Sequence, residues 1–375
     1  MVQYGANLRM LTFARMKRWY PTLLLTLLSF AFIKPFWGQT DSTTRKSSLL
    51  AYPVGFYLPE TRFGAGIAGS FNFYLNKKDS ISPPSQIQLG VAYTQNRQLL
   101  LYLPFDFYWN QRKHQVSGEL GYYDYMFFFF GTTTLPTERK ESFYVRLPRL
   151  RIQYTRKISK NWYTGLKGWY DQFDIYKYSE RSSLENGPYP GREGGAGSGL
   201  GAFILYDSRD NVYASKSGHY LELYYHNYDK VWGSDFDFHR YRIDYRHFLP
   251  VKKSVLAFQA FGDFMTGDVP FFQMTGIGGP KRFRGYVDGR VRDHHTALTQ
   301  LEWRSFFAKR WGYTLFAGGA LVRDELKDLT KSPLYYSAGM GMRYVFDIEK
   351  RVHIRLDVAF GRKTNEFYFT IGEAF

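Results

Sequence analysis

Apolar and polar residues alternate with a period of two along most of the chain from about residue 49 onward. In the segment 239–248, Tyr241 and Tyr245 stand between charged residues, and the segment 351–360 repeats the pattern. Successive side chains of a β-strand point to opposite faces, so this period predicts strands with one apolar and one polar face. These strands are about 10–15 residues long, against roughly 5–6 residues in most globular sheets. Their length favours strands that cross a membrane.

The patterns predict sixteen strands separated by two kinds of connection. The predicted strands are 49–57, 62–76, 84–96, 98–110, 113–124, 141–156, 160–176, 195–207, 216–228, 235–249, 251–266, 294–307, 311–323, 333–346, 351–361 and 364–375. Short basic turns such as 111–113 and 157–160 alternate with longer loops such as 125–140, 177–194 and 267–293. Short turns on one side and long loops on the other are typical of outer-membrane barrels, whose termini are periplasmic. We therefore predict an all-β fold, a transmembrane antiparallel β-barrel of about sixteen strands.

The composition supports a barrel and excludes other kinds of membrane protein. Aromatic residues make up 20% of the 375 residues, with 32 tyrosines and 34 phenylalanines. The mean hydropathy is nevertheless negative, and a bundle of transmembrane helices would need runs of about 20 apolar residues. In a barrel wall every second residue faces water, which keeps the mean hydropathy low. The chain has no cysteine, which excludes disulfides, thiolate metal sites and a lipoprotein anchor.

The chain divides into a predicted signal peptide and a barrel. Basic residues precede an apolar core at 23–33, as in secretory signals, although a retained membrane anchor is the alternative. We expect residues 1–38 to be a signal peptide, 39–48 a short periplasmic segment and 49–375 the barrel. Removing the first segment lowers the net charge from +17 to +12, because it holds five positive charges and no acid. In an exported chain this balance favours contact with outer-membrane lipid and lipopolysaccharide over nucleic acid.

Motifs for catalysis or metal binding are not evident. Ser198 lies in a glycine-rich segment that lacks the G-x-S-x-G spacing of a nucleophile. Asp293, His294 and His295 are metal-ligand types in sequence, but adjacent strand residues point to opposite faces. We therefore interpret them as a solvated loop end and expect no enzyme activity, no metal and no cofactor.

The loop 278–286, GGPKRFRGY, is glycine-rich and basic and lies between two clear strand patterns. If it folds into the lumen, Arg284 needs an acidic partner, because a desolvated unpaired guanidinium is costly. Glu302 is the best candidate, since it shares the polar face of the next strand with Arg304. The alternative partners are Asp244 and Asp357. The other interpretation is an exposed basic loop that contacts lipopolysaccharide.

Several motifs together resemble the BamA/TamA family of outer-membrane barrels, the bacterial surface antigen barrels. A loop-lock motif resembling the Arg-Gly-aromatic signature of that family's sixth surface loop comprises Gly278, Gly279, Phe283, Arg284, Gly285 and Tyr286. Segments resembling its Arg-Asp and Glu-x-Arg segments are 290–293 and 301–304. A turn resembling its periplasmic turn motif contains Asp207, Arg209, Asp210 and Gly218. The signal resembling its C-terminal strand comprises Phe369, Ile371 and Phe375.

The resemblance implies a barrel whose sixth surface loop folds into the lumen, with Arg284 held against Glu302. It also implies a weakly paired seam between the first and last strands, where client strands or membrane thinning are thought to act in the family. The implied function is assembly, insertion or translocation of proteins (or lipid) at the outer membrane, with unknown client proteins.

The sequence departs from the family pattern in three places. The family's periplasmic POTRA domains have no room between the predicted cleavage site and the first strand, so we expect a periplasmic partner to supply their function. Gly318 stands where the family often has an aspartate that meets the loop arginine, and Ser215 stands near a frequent proline of the turn.

Two other functions stay open at this point. One is a plugged or anion-favouring solute channel, because the predicted lumen contains Arg240, Arg242, Arg246 and Arg355. The other is a structural subunit of an envelope complex.

Overall fold

Sixteen strands form one closed antiparallel barrel, in which each strand pairs with its sequence neighbours in the wall. The computed structural model describes residues 47–58, 60–348 and 351–375. The predicted signal peptide, 1–38, lies outside the described residues. The prediction of a sixteen-stranded antiparallel barrel is confirmed.

The strands among the described residues are β1 (Ser48–Leu58), β2 (Arg62–Phe73), β3 (Ser85–Thr94), β4 (Leu99–Trp109), β5 (His114–Gly131), β6 (Pro136–Lys157), β7 (Trp162–Tyr178), β8 (Gly195–Asp207), β9 (Gly218–Tyr228), β10 (Phe238–Val251), β11 (Ser254–Gly267), β12 (Thr275–Ile277), β13 (Val291–Asp293), β14 (His295–Phe306), β15 (Trp311–Arg323), β16 (Tyr335–Asp347), β17 (Val352–Gly361) and β18 (Thr364–Ile371). Strands β12 and β13 pair with each other outside the barrel wall. Short helices at Ser183–Asn186, Lys230–Trp232 and Leu326–Lys331 lie in loops. None of the helices in the described ranges is long and apolar enough to span a membrane.

The two faces of the wall have opposite chemistry. In β10 the apolar side chains of Tyr241 and Ile243 are 46% and 40% exposed, whereas Arg240 and Asp244 are 8% and 6% exposed. A soluble protein shows the reverse arrangement, because it leaves charged groups in water and covers apolar ones. The alternation therefore places apolar residues against lipid and charged residues in the lumen.

The hairpin of β5 and β6 extends well beyond the predicted strands 113–124 and 141–156. Its outer part carries Phe129 and Phe143, which pack at 5.4 and 5.2 Å between ring centroids against Phe271 of the sixth surface loop. Phe128 lies under Lys140 on the other face. The prediction of a long loop at 125–140 was wrong, because above the membrane both faces of this ribbon are covered and the period-two signal disappears.

The last strand also differs from its predicted range, 364–375. Strand β18 ends at Ile371, and Gly372 has a φ of +88°, a left-handed conformation that ends the extended chain. Within the described residues, β1 and β18 pair at a single position, Tyr57 with Phe369. By contrast, β17 and β18 pair at eight positions. The barrel therefore closes through a short seam.

Candidate functional site

The sixth surface loop, residues 268–294 and called loop six below, connects β11 to β14. Its neck is the small sheet of β12 and β13, and its tip lies inside the barrel, with Phe283, Arg284 and Tyr286 all buried. The tip folds on itself, since the N–H of Gly279 donates to the carbonyl oxygen of Tyr286 at 2.9 Å. The prediction of a sixth surface loop folded into the lumen is confirmed.

Glycine allows the backbone of the tip to run close to the wall. Gly285 has a φ of +99°, and a Cβ at this position would lie 3.0 Å from the carbonyl carbon of Phe360 in β17. Gly278 has a φ of +127°, and a Cβ there would lie 2.1 Å from the carbonyl oxygen of Val287. Both positions have a conformation that favours glycine. A Cβ at Gly278 would clash with the backbone, and one at Gly285 would require the backbone of β17 to shift by a few tenths of an ångström.

Arg284 is the centre of a buried cluster, called the Arg284 cluster and formed with Glu302, Asp357 and Phe316. Nη2 of Arg284 donates to Oε1 of Glu302, and Nη1 donates to Oδ2 of Asp357 at 2.7 Å. All three charged side chains are fully buried. The guanidinium also lies 3.5 Å from the ring centroid of Phe316. The structure thus places both Glu302 and one of the alternative partners, Asp357, against the loop arginine.

Both carboxylates also hold a second arginine. Nε of Arg304 lies 2.7 Å from Oε2 of Glu302, and Nη1 of Arg343 lies 2.6 Å from Oδ1 of Asp357. Arg355 adds a longer contact to Asp357, at 3.4 Å. Buried charges are tolerated when they are paired and hydrogen-bonded in this way, and such charge-assisted bonds fix orientation.

The surroundings of Gly318 leave little space for the aspartate that the family resemblance led us to expect there. A Cβ at Gly318 would lie 3.1 Å from the ring of Phe283, so the tip of loop six occupies that space. The carboxylate comes instead from Asp357 in β17, two strands farther round the wall. The sequence favours Glu302 because it shares the polar face of β14 with Arg304, whereas the alternation along β17 is the signal for Asp357.

The C-terminal residues turn into the lumen beneath the Arg284 cluster. Oε2 of Glu373 lies 3.0 Å from Nε of Arg343, and the carbonyl oxygen of Phe375 accepts from Nη2 of Arg304 at 3.0 Å. The ring of Phe375 packs against Phe248. Phe375 therefore lies outside the strand that it was predicted to end, because Glu373 finds its partners inside the barrel.

The other two residues of the C-terminal signal lie on β18 itself. Phe369 is the residue that pairs with Tyr57 at the seam, and Ile371 is exposed on the lipid face.

Loop six touches both sides of the seam. The hydroxyl of Tyr368, in β18, donates to the carbonyl oxygen of Tyr286 at 2.9 Å and accepts from the N–H of Gly285 at 3.1 Å. On the other side, the N–H of Asp288 donates to Oε1 of Glu60, in the loop between β1 and β2, at 3.3 Å. The tip of loop six thus bridges two elements that share few backbone hydrogen bonds.

Glu60 is titratable in the physiological range. Burial raises the pKa of its carboxyl from the usual 4.5 to about 7, and repulsion by Asp288 and Glu366 acts in the same direction. The positive charge of Lys140 lies near enough to interact with Glu60 as well. The contact between loop six and the loop before β2 is therefore expected to depend on pH.

The predicted periplasmic turn motif lies in the turn between β8 and β9. Nη2 of Arg209 lies 2.7 Å from Oδ2 of Asp207, and Asp210 pairs with Arg351 next to β17. Gly218 has a φ of +101°, which favours glycine at the start of β9. The four residues shape one turn and connect it to another part of the same rim.

Other lumen charges form ion pairs within the wall. Arg240 and Arg242 both contact Oδ2 of Asp263, at 2.6 and 2.7 Å. Asp244, proposed from sequence as an alternative partner for the loop, instead contacts Arg246 at 2.5 Å. Sequence reasoning missed Asp263, although its position on the lumen face of β11 follows from the same alternation.

Comparison with known proteins identifies the type of barrel. The sequence matches the Omp85 superfamily domain over residues 26–375. No curated protein sequence matches the chain. Among solved structures, BamA from Haemophilus ducreyi lacking POTRA domains 1-3 aligns with a TM-score of 0.59 at 15% identity, covering 88% of this chain and 70% of that chain.

Two further structures share the fold. CdiB from Acinetobacter baumannii aligns with a TM-score of 0.57 at 10% identity, covering 88% of this chain and 60% of that chain. CdiB from Escherichia coli aligns with a TM-score of 0.57 at 9% identity, covering 87% of this chain and 62% of that chain. The chain thus spans less than two thirds of either CdiB chain, and at these identities the likeness concerns the fold alone.

Proposed function

Because the chain belongs to the Omp85 superfamily, we propose that this outer-membrane barrel takes part in the assembly, insertion or translocation of proteins at the outer membrane. Lipid is the alternative cargo. One observation carries the proposal: within the described residues the first and last strands pair at a single position, and the loop held by Arg284 contacts both sides of that closure.

The seam can act as a template for an incoming strand. Strand β1 pairs with β2 along its whole length, but with β18 only at Tyr57 within the described residues. Backbone N–H and C=O groups without partners are costly in lipid, so an exposed strand edge attracts another strand. A client strand that pairs with β1 or β18 would satisfy these groups.

Loop six would act as a latch on this seam. Its tip is anchored in the lumen by Arg284, and from there it reaches Tyr368 of β18 and Glu60 beside β1. Opening of the seam must break or move at least one of these contacts. In this proposal Arg284 sets how readily the seam opens, while Glu302 and Asp357 position the arginine.

The pairing of the lumen arginines counts against the anion channel. Arg240, Arg242 and Arg246 are each held by a carboxylate, and Arg355 lies against Asp357. An anion pathway needs positive charge that is free to face the pore, whereas each of these guanidiniums is held against a carboxylate of the wall, with Arg240 and Arg242 sharing Asp263. Loop six also fills part of the lumen, so a steady conductance is not expected.

The proposal includes partners but no catalytic turnover. Outer-membrane lipid and lipopolysaccharide would surround the wall, and a periplasmic partner would bring clients to the seam, as the family's POTRA domains do. The client proteins are to be found by experiment.

Quantitative proteomics of the outer membrane after depletion of the protein tests this function. A broad fall in other β-barrels would indicate general assembly, and loss of one protein or a small set would indicate a dedicated translocator. An unchanged protein content with altered solute uptake would contradict the proposal and favour transport. Unchanged content together with loss of one stoichiometric complex would favour the structural subunit.

A further inference from the structure

Three metal-ligand side chains meet on the extracellular rim, at the outer end of loop six. Nδ1 of His294 lies 3.2 Å from Oδ1 of Asp293 and 2.6 Å from Oδ1 of Asp324. One ligand atom from each of the three residues lies within 4.8 Å of the other two. Asp324 belongs to the seventh surface loop, residues 324–334, so the cluster connects two loops. We propose that Asp293, His294 and Asp324 bind a divalent transition-metal ion of the Zn²⁺ class.

Two carboxylates share one imidazole nitrogen, although Oδ1 of Asp293 also accepts the backbone N–H of His294 at 3.0 Å. Nδ1 of His294 carries at most one proton, yet carboxylate oxygens of Asp293 and Asp324 both approach this nitrogen. One N–H serves a single acceptor well, and two carboxylates at this spacing repel each other. A divalent cation would satisfy the imidazole nitrogen and both oxygens at once.

Asp293 is already oriented for binding. Its Oδ2 accepts the N–H of Thr133 at 3.0 Å and also the Thr133 hydroxyl, from the loop between β5 and β6. This leaves Oδ1 directed at His294. Metal-binding side chains are commonly fixed by such outer hydrogen bonds, which tune affinity about 10–100-fold. Thr133 is thus a positioning residue, and it brings a third surface loop to the cluster.

The geometry suits a tetrahedral ion with one open position. Bonds of about 2.0–2.2 Å place the ligand atoms of a tetrahedral Zn²⁺ site about 3.3 Å apart. The separation of His294 and Asp293 already has this value, and Asp324 would move outward by about 0.7 Å to match it. Its side chain is 45% exposed and lies in a surface loop, so this movement is open to it, and water can take the fourth position.

Sequence reasoning did not find this site because it paired the wrong residues. The ring centroids of His294 and His295 lie 6.4 Å apart, but His295 is buried beside Phe264 in the wall. The third ligand comes from Asp324, about thirty residues farther along the chain. Only the pairing of β14 with β15, which sets His295 opposite Arg323, brings the two loops together.

A bound ion would connect the neck of loop six to the seventh surface loop. Asp293 ends β13, which pairs with β12 to form the neck. Fixing this end against the seventh surface loop limits how far loop six can swing as a whole. The proposed ion does not touch the Arg284 cluster, so its binding is testable independently of the proposed function.

Calorimetric titration of the purified, chelator-treated full barrel in detergent with ZnCl₂ tests the site. The hydrogen bond to Asp293 raises the pKa of His294, so the titration is performed at pH 8, because a higher pH favours the neutral ring that binds a metal ion. We expect one equivalent of Zn²⁺ to bind, and we expect His294→Ala and Asp324→Asn to lower the affinity at least tenfold. Asp328→Asn, in the same surface loop but outside the cluster, is the matched control and should bind as wild type.

Protease protection of the seventh surface loop measures whether the bound ion holds it against loop six. Zn²⁺ should slow tryptic cleavage after Lys327 in the wild type and in Asp328→Asn, but not in Asp324→Asn. Asp324 is exposed, so this variant should keep the wild-type β-sheet content. No binding by the wild type, or equal binding by wild type and Asp324→Asn, would overturn the proposal.

Discussion

Removal of the Arg284 side chain is expected to free the tip of loop six without unfolding the barrel. In Arg284→Ala, the loop loses its hydrogen bonds to Glu302 and Asp357 and its contact with Phe316. The wall is untouched, because both carboxylates belong to strands that keep their backbone pairing.

The free energy lost in Arg284→Ala depends on the ion pairs that Glu302 and Asp357 keep. Removing one partner of a buried ion pair typically costs about 3–5 kcal/mol, because a charge is left without a partner. Here Glu302 keeps Arg304 and Asp357 keeps Arg343, so we expect the lower end, about 3 kcal/mol. Since each 1.4 kcal/mol corresponds to a factor of ten, the open population of the tip should rise about 100-fold.

Trypsin reports this population directly, because Lys281 and Arg282 lie in the tip. When opening and closing are fast relative to cleavage, the cleavage rate follows the open fraction. The initial rate of cleavage at these sites should therefore rise about 100-fold in Arg284→Ala. Lys281→Ala removes the same charge from an exposed position of the same loop and should leave the rate of cleavage after Arg282 near that of wild type. A rate for Arg284→Ala within about threefold of wild type, with an intact barrel by heat-modifiability, would refute the role assigned to the cluster.

Three further predictions concern the contacts of loop six. Because the folded state raises the pKa of Glu60 to about 7, the contact is favoured most below about pH 4.5 and loses this stabilisation as pH rises through 7; relative to the rate of trypsin on a small peptide substrate at the same pH, cleavage of the tip should be faster at pH 8 than at pH 6, and Glu60→Gln should remove this difference. Gly285→Ala forces a side chain into a left-handed position against the backbone of Phe360 and should loosen the tip by about 1–3 kcal/mol in the same protease assay, and wild-type protection would contradict this. Asp357→Asn weakens contacts to three arginines, whereas Glu302→Gln weakens two, so thermal unfolding on gels should show the larger loss for Asp357→Asn.

Much of the fold was accessible from sequence because the wall imposes one rule at every position. Lipid outside and charge inside force a period of two, and the sixteen wall strands form the closed barrel that this period predicts. The period of two is lost where the chain leaves the lipid-facing wall. Around Phe129 both faces of the hairpin are covered by protein, and at Gly372 the chain leaves the wall for partners in the lumen.

The site was accessible only in part, for a related reason. Alternation places a side chain in the lumen but does not say which lumen residue it meets. Arg284 and Glu302 are close in sequence and follow the expected order, whereas Asp357 reaches the same guanidinium only because the barrel closes. The meeting of Asp324 with His294 comes instead from the hairpin of β14 and β15, which sets the outer ends of two consecutive strands side by side.

A reversible covalent lock across the seam tests the central claim most directly. The chain has no cysteine, so Tyr57→Cys with Phe369→Cys introduces one defined pair, and directly opposed strand residues lie within disulfide reach. The double variant would replace the wild type in cells, and outer-membrane proteins would be quantified with and without a reductant, using each single variant as a control. We predict that the oxidised double variant reproduces the protein losses caused by depletion, and that reduction restores the proteins. A normal outer-membrane protein content with the seam fully cross-linked would contradict a function that depends on its opening.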